Sequence, residues 1–195
     1  MAFSAGCGGD DDDDTNNAPR PGETQAPPVV SAEAVEYFGG ITDEAFRAMV
    51  GVPPVVDDAR AATFVAPAAG ATMSAASPPT FVWAAPVASA PTAAGRSLWA
   101  RAWELIEKPA YAHGKPYDGA AYLLSIVSAS GEPLLTALTP QTSYVPDADT
   151  WAALASAAGG DVRVFLVTAR CEQNAVADGG PWEASSGPIT LRLGP

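Results

Sequence analysis

The sequence predicts an all-β sandwich with short helical insertions and a disordered N-terminal tail. Three observations carry this. The Val, Leu, Ile, Phe and Trp positions cluster after residue 60, in short runs separated by Gly and Pro. Several of these runs alternate apolar and polar residues, the two-residue period of a strand with one buried face. The 19 prolines and 18 glycines suit turns between strands and work against long helices. At 195 residues the chain holds one good-sized domain plus tails. Much of its 48% hydrophobic content is alanine, which buries little area, so the core must rest on the larger apolar side chains.

Taken in order, residues 1–30 form an acidic tether. They are polar, Pro-rich and like-charged, and cannot bury enough surface to offset their conformational entropy. Repulsion along Asp10 to Asp14 extends them. Residues 31–60 read as a linker with a short helix, which either packs on the sandwich or belongs to the linker. Helical signals run from Ser31 to Val50, with Thr42 as cap and Asp43 and Glu44 in the first turn. Ala45, Phe46, Met49 and Val50 make one apolar face, and Gly51 with Pro53-Pro54 is the stop.

The sandwich is predicted over 61–195. Its strands are Ala62 to Val65, Phe81 to Trp83, Ala121 to Val127, Leu134 to Leu138, Thr142 to Val145, Val162 to Ala169, and a last one carrying Ile189, Leu191 and Leu193. In Ala121 to Val127 the residues Tyr122, Leu124 and Ile126 share one side. Val162, Val164 and Leu166 do the same, with Arg163 opposite. An insertion at 84–119 separates the Trp83 strand from the Tyr122 strand. Within it Ser97 can cap a helix with Trp99, Trp103 and Ile106 on one face, and a second small helix is predicted at Thr150 to Ala158.

Two resemblances follow. Ser4-Ala5-Gly6-Cys7 resembles the lipobox of bacterial lipoproteins, although Ser4 stands where that family has Leu and only Ala2 and Phe3 stand where a signal peptide has a long apolar run. The resemblance implies lipidation at Cys7, a membrane partner through that anchor, and residues ahead of Met1 that complete the signal peptide. Gly8 in place of Asp favours an outer-membrane or surface location in the cell envelope, with a secreted or periplasmic protein as the other case.

Pro67-Ala68-Ala69-Gly70, Phe81-Val82-Trp83, Tyr122-Leu123-Leu124-Ser125-Ile126, Thr142-Ser143-Tyr144 and Val162 to Thr168 together resemble fibronectin type III and immunoglobulin-like modules of bacterial surface proteins, over residues 62–195. This implies a non-catalytic domain with a binding or structural role at the cell surface. The chain departs from the pattern in the insertion and in a central strand without an aromatic pair.

The net charge of −12 repels phosphate backbones, and the ten Lys and Arg form no basic stripe, so nucleic acid is not expected as a partner. His113 is the single histidine and reads as a hydrogen-bonding loop residue. Zinc needs three or four ligands, no second histidine or spaced Cys pair is available, and no nucleophile elbow or phosphate loop occurs. Hence no enzyme, no cofactor and no metal centre is expected, with a hydrolase as the least favoured reading.

Cys171 is expected unpaired and at least partly buried, because Cys7 would carry lipid rather than a disulfide. Asn174 to Gly180, with Asp147, Asp149 and Asp161, offers oxygens for calcium but lacks EF-hand spacing, and is expected to be a solvated loop. The sharper alternative is a carbohydrate-binding or adhesin module. Sugars stack on aromatic rings, and Trp99, Trp103, Tyr111, Tyr117 and Trp182 lie in insertion or loop segments near His113 and Asp118; the competing reading is that these rings cover the sandwich edge. The partner is then a glycan, otherwise an envelope protein.

Overall fold

A computed structural model describes residues 35–86 and 115–194. Two sheets dominate. The larger begins with β1 (Val35–Tyr37), which runs parallel to β7 (Pro133–Thr139). β7 forms a hairpin with β6 (Gly119–Ser128), and β6 pairs along its whole length with β9 (Asp161–Glu172). The far edge of β9 takes three short antiparallel partners in turn. β12 (Ile189–Gly194) lies against Asp161–Val164, β11 (Trp182–Glu183) meets Thr168, and β10 (Ala175–Val176) meets Cys171–Glu172. Outside these, β4 (Thr72–Ser74) runs parallel on β12 and β2 (Val55–Val56) parallel on β11. The smaller sheet is β3 (Thr63–Ala66), β5 (Phe81–Ala84) and β8 (Ser143–Tyr144), all antiparallel.

The main core fills the space between the sheets. Phe81, Trp83 and Tyr144 of the small sheet meet Tyr122, Leu124 and Ile126 of β6 and Val162, Val164 and Leu166 of β9. Helix α2 (Ala148–Ala158) adds Trp151 and Leu154 to it. Asp147 caps this helix by accepting from Thr150 N at 2.9 Å, three residues ahead of the predicted start, and Gly159 closes it with φ 65°.

A second core lies on the opposite face of the large sheet. Helix α1 (Asp43–Val50) lays Ala45, Phe46 and Met49 over Ala121, Leu123, Val167, Ala169 and Cys171. Phe46 and Met49 are 1% and 2% exposed, and burial of each is worth about 1.5–3 kcal/mol. Eight residues cannot hold a helix in water alone, so this contact maintains it.

The second core corrects two expectations. Residues 35–60 are not a linker, because β1, α1 and β2 all belong to the fold. The helical signal before Thr42 also fails. Val35–Tyr37 is captured as an edge strand, and Gly39 and Gly40, at φ 63° and 77°, turn the chain before the helix starts. For the same reason β6 is not one-sided: Tyr122, Leu124 and Ile126 enter the main core, whereas Ala121 and Leu123 enter the second. The seven expected strands otherwise occur within a few residues of their expected bounds. The tether at 1–30 and the helix predicted from Ser97 lie outside the described residues.

Candidate functional site

Of the candidate residues, Cys7, Trp99, Trp103, Tyr111 and His113 lie outside the described residues. Tyr117, Asp118 and Trp182 are described. The first two meet at the β9–β10 turn, where the insertion returns to the fold. Asn174 is the hub of that junction. Its Oδ1 accepts from Tyr117 N at 2.7 Å and from Thr42 Oγ1 at 2.9 Å, and its own N–H donates to Tyr117 O at 3.0 Å. Asp118 Oδ1 accepts from Gln173 N at 2.8 Å, and the Tyr117 hydroxyl donates to Ala120 O. Burial pushes the Tyr117 phenol up to about 12, so it stays protonated at neutral pH. These groups hold the end of the insertion to helix α1 and the hairpin.

Trp182 belongs to a different place, the β11 edge. It is 6% exposed, and the Arg60 guanidinium lies over its ring at 5.5 Å. Arg60 is itself fixed by Asp57 Oδ2 at 3.5 Å and by donation to Asp178 O at 2.8 Å. A sugar therefore finds no open Trp182 face, and Tyr117 is the one candidate ring among the described residues that stays part-exposed.

Three of the side chains considered for calcium are directed to protein donors. Asn174 serves two, Asp147 caps α2, and the Asp178 carboxylate faces Arg170 at 3.5 Å. Among the described residues no three His, Cys, Asp or Glu side chains converge. Cys171 is 1% exposed and unpaired among the described residues. Desolvation, followed by the charge of Asp118, pushes its thiol up to about 11, which leaves almost no thiolate to attack or ligate at neutral pH. No helix among the described residues is long and apolar enough to cross a membrane.

One group escaped the sequence reading. Glu183 lines a narrow cleft with Thr63, Phe64, Phe165, Val167 and Ser186. The cleft is a break in the sheet edge: β12 leaves β9 after Val164 and β11 rejoins at Thr168, so among the described residues Phe165–Val167 has β6 on one side and no strand on the other. The chain between β11 and β12 loops around the break. Its Ser185 donates both N–H and Oγ–H to Asp58 at 2.7 Å, which holds that carboxyl below its usual range. Glu183 is 7% exposed, its Oε1 has no partner among the described residues, and desolvation raises its carboxyl above the usual range. In sequence, Pro181-Trp182-Glu183-Ala184 reads as a solvated turn, and nothing local marks the glutamate as buried.

The chain matches no protein-family model, no curated protein and no solved structure.

Proposed function

We propose that this is a non-catalytic cell-envelope lipoprotein, held by lipid at Cys7, whose immunoglobulin-like domain serves a binding or structural role at the cell surface. The observation that carries the reading is the order Ser4-Ala5-Gly6-Cys7, Gly8-Gly9, Asp10 to Asp14, ahead of a folded domain whose first strand is Val35–Tyr37. Small residues before a cysteine suit acylation, and a charged, extended spacer after it suits a domain carried off a membrane. The immunoglobulin-like assignment draws support from the strand order. β3-β5-β8 faces β7-β6-β9-β12, three strands against four around one core, as in seven-stranded modules of that class. The additional parallel strands are elaborations that extend the edges of the larger sheet, and helix α1 covers its outer face.

The test is metabolic labelling with an alkyne fatty acid in a bacterium expressing the gene with its upstream in-frame codons. The wild-type protein is expected to take label and fractionate with membranes, and Cys7→Ser to do neither. An unlabelled, soluble wild-type protein refutes the anchor.

A further inference from the structure

We propose that the cleft beside Glu183 receives one primary ammonium group, the head of an alkylamine or of a lysine side chain. A carboxylate taken out of water keeps its charge at low cost only when a donor or cation meets it. Glu183 is buried to 93% and its Oε1 meets neither among the described residues. Such a group calls for a partner that the described fold does not supply. The nearby Arg60 is committed elsewhere, over Trp182 and to Asp57 and Asp178.

Size and lining select the partner. The cavity is about 10 Å³, room for one water-sized group, and an –NH₃⁺ head is of that size whereas a planar guanidinium is wider. Three ammonium hydrogens need several acceptors; Thr63, Ser186 and Glu183 are lining residues whose side chains carry oxygen. The Phe165 ring already carries the Arg163 guanidinium at 5.8 Å, so Phe64 is the aromatic left for a cation, and Phe64, Phe165 and Val167 give apolar wall for a methylene stem. The overall charge of −12 draws cations toward the molecule. The break in the sheet edge is what makes the cleft, because continuous pairing of β9 would fill it with a strand. The proposal concerns the folded domain alone and holds whether or not Cys7 carries lipid.

The test is a backbone amide NMR titration of the full chain with n-butylammonium, Nα-acetyl-lysine methylamide, guanidinium and tetramethylammonium. Butylammonium is expected to give saturable shifts confined to Thr63–Phe64 and Glu183–Gly187, weakened at least ten-fold in Glu183→Gln. Guanidinium and tetramethylammonium are expected to give none. Saturation by the lysine derivative as well identifies a lysine head as a ligand, and saturation by butylammonium alone identifies a free amine.

Should Glu183→Gln fail to fold, the wild-type carboxyl is followed by ¹³C NMR, and its midpoint is expected to move to lower pH when butylammonium is added. No saturable shift with either ammonium, equal binding by guanidinium, or equal binding by a folded Glu183→Gln overturns the proposal. The cleft then holds water only.

Discussion

Trp83 and Trp151 share one core and differ in a single respect that the structure makes measurable. Both are essentially buried, at 2% and 0% exposure. Trp151 Nε1 donates to Ser74 O at 3.0 Å and so ties α2 to strand β4, at the edge of the larger sheet. Trp83 Nε1 is buried with no partner among the described residues.

Replacement of either by Phe removes a similar volume. The packing loss is a fraction of the 3–5 kcal/mol seen on truncation to Ala, about 1.5 kcal/mol in each case. The polar contributions have opposite signs. Trp151→Phe strips the Ser74 carbonyl of its indole donor, at about 1–2 kcal/mol, whereas Trp83→Phe deletes an unsatisfied N–H and returns about 1 kcal/mol.

Trp151→Phe is therefore expected to be less stable than Trp83→Phe by about 2–3 kcal/mol. With a urea slope of about 2 kcal/mol per M, the unfolding midpoints separate by about 1 M. Equilibrium urea unfolding followed by far-UV circular dichroism measures this. Equal midpoints, or a lower midpoint for Trp83→Phe, refute the assignment of polar roles.

The remaining predictions concern the insertion junction and alkaline pH. Thr42→Ala loses the cap to Ala45 N and the donor to Asn174, and is expected to cost about 1–2 kcal/mol, with Thr42→Ser recovering most of it in thermal melts. Asn174→Gly is expected to be less damaging than Asn174→Ala, because φ at this position is 67° and only glycine takes it without strain; the reverse order in melts would contradict this. The folded Cys171 thiol sits at about 11 against an ordinary 9.0, so the folded state holds a proton that the unfolded chain has lost. Stability is then fully present below pH 9 and falls as pH rises through 11. Urea midpoints are expected to drop across that window, less steeply in Cys171→Ala, and a flat profile in the wild type would exclude the effect. Cys171 in the native protein at pH 8 is also expected to resist thiol reagents that label it once the chain unfolds.

Most of the architecture was legible because alternation survives tertiary context. Phe81 and Trp83, Tyr122, Leu124 and Ile126, and Val162 and Val164 all face the main core that their spacing predicted. Helix α1 was legible from Thr42 and the Phe46–Met49 face, and Cys171 is buried as expected. Strands β2, β4, β10 and β11 were not read, since two or three residues carry no period and three of these strands, β2, β4 and β11, pair in parallel with segments far along the chain. Tyr117 and Asp118 carried the residue types of a binding loop, but their hydrogen bonds go to Asn174, Ala120 and Gln173, contacts that only the fold creates.

By itself, the sequence determined the β-rich class, the order of the long strands and the two helices, because each depends on a local pattern of apolar spacing, caps and turns. It also holds Ser4-Ala5-Gly6-Cys7 and the Asp10 to Asp14 spacer, from which the lipid-anchor proposal starts. The tertiary structure decided which faces are covered, and so turned residues 35–50 from a linker into part of a second core. It also decided where β9 lacks a partner strand. Glu183 acquired its environment there, because burial of a carboxylate depends on which distant strands meet around it and not on its neighbours in the chain.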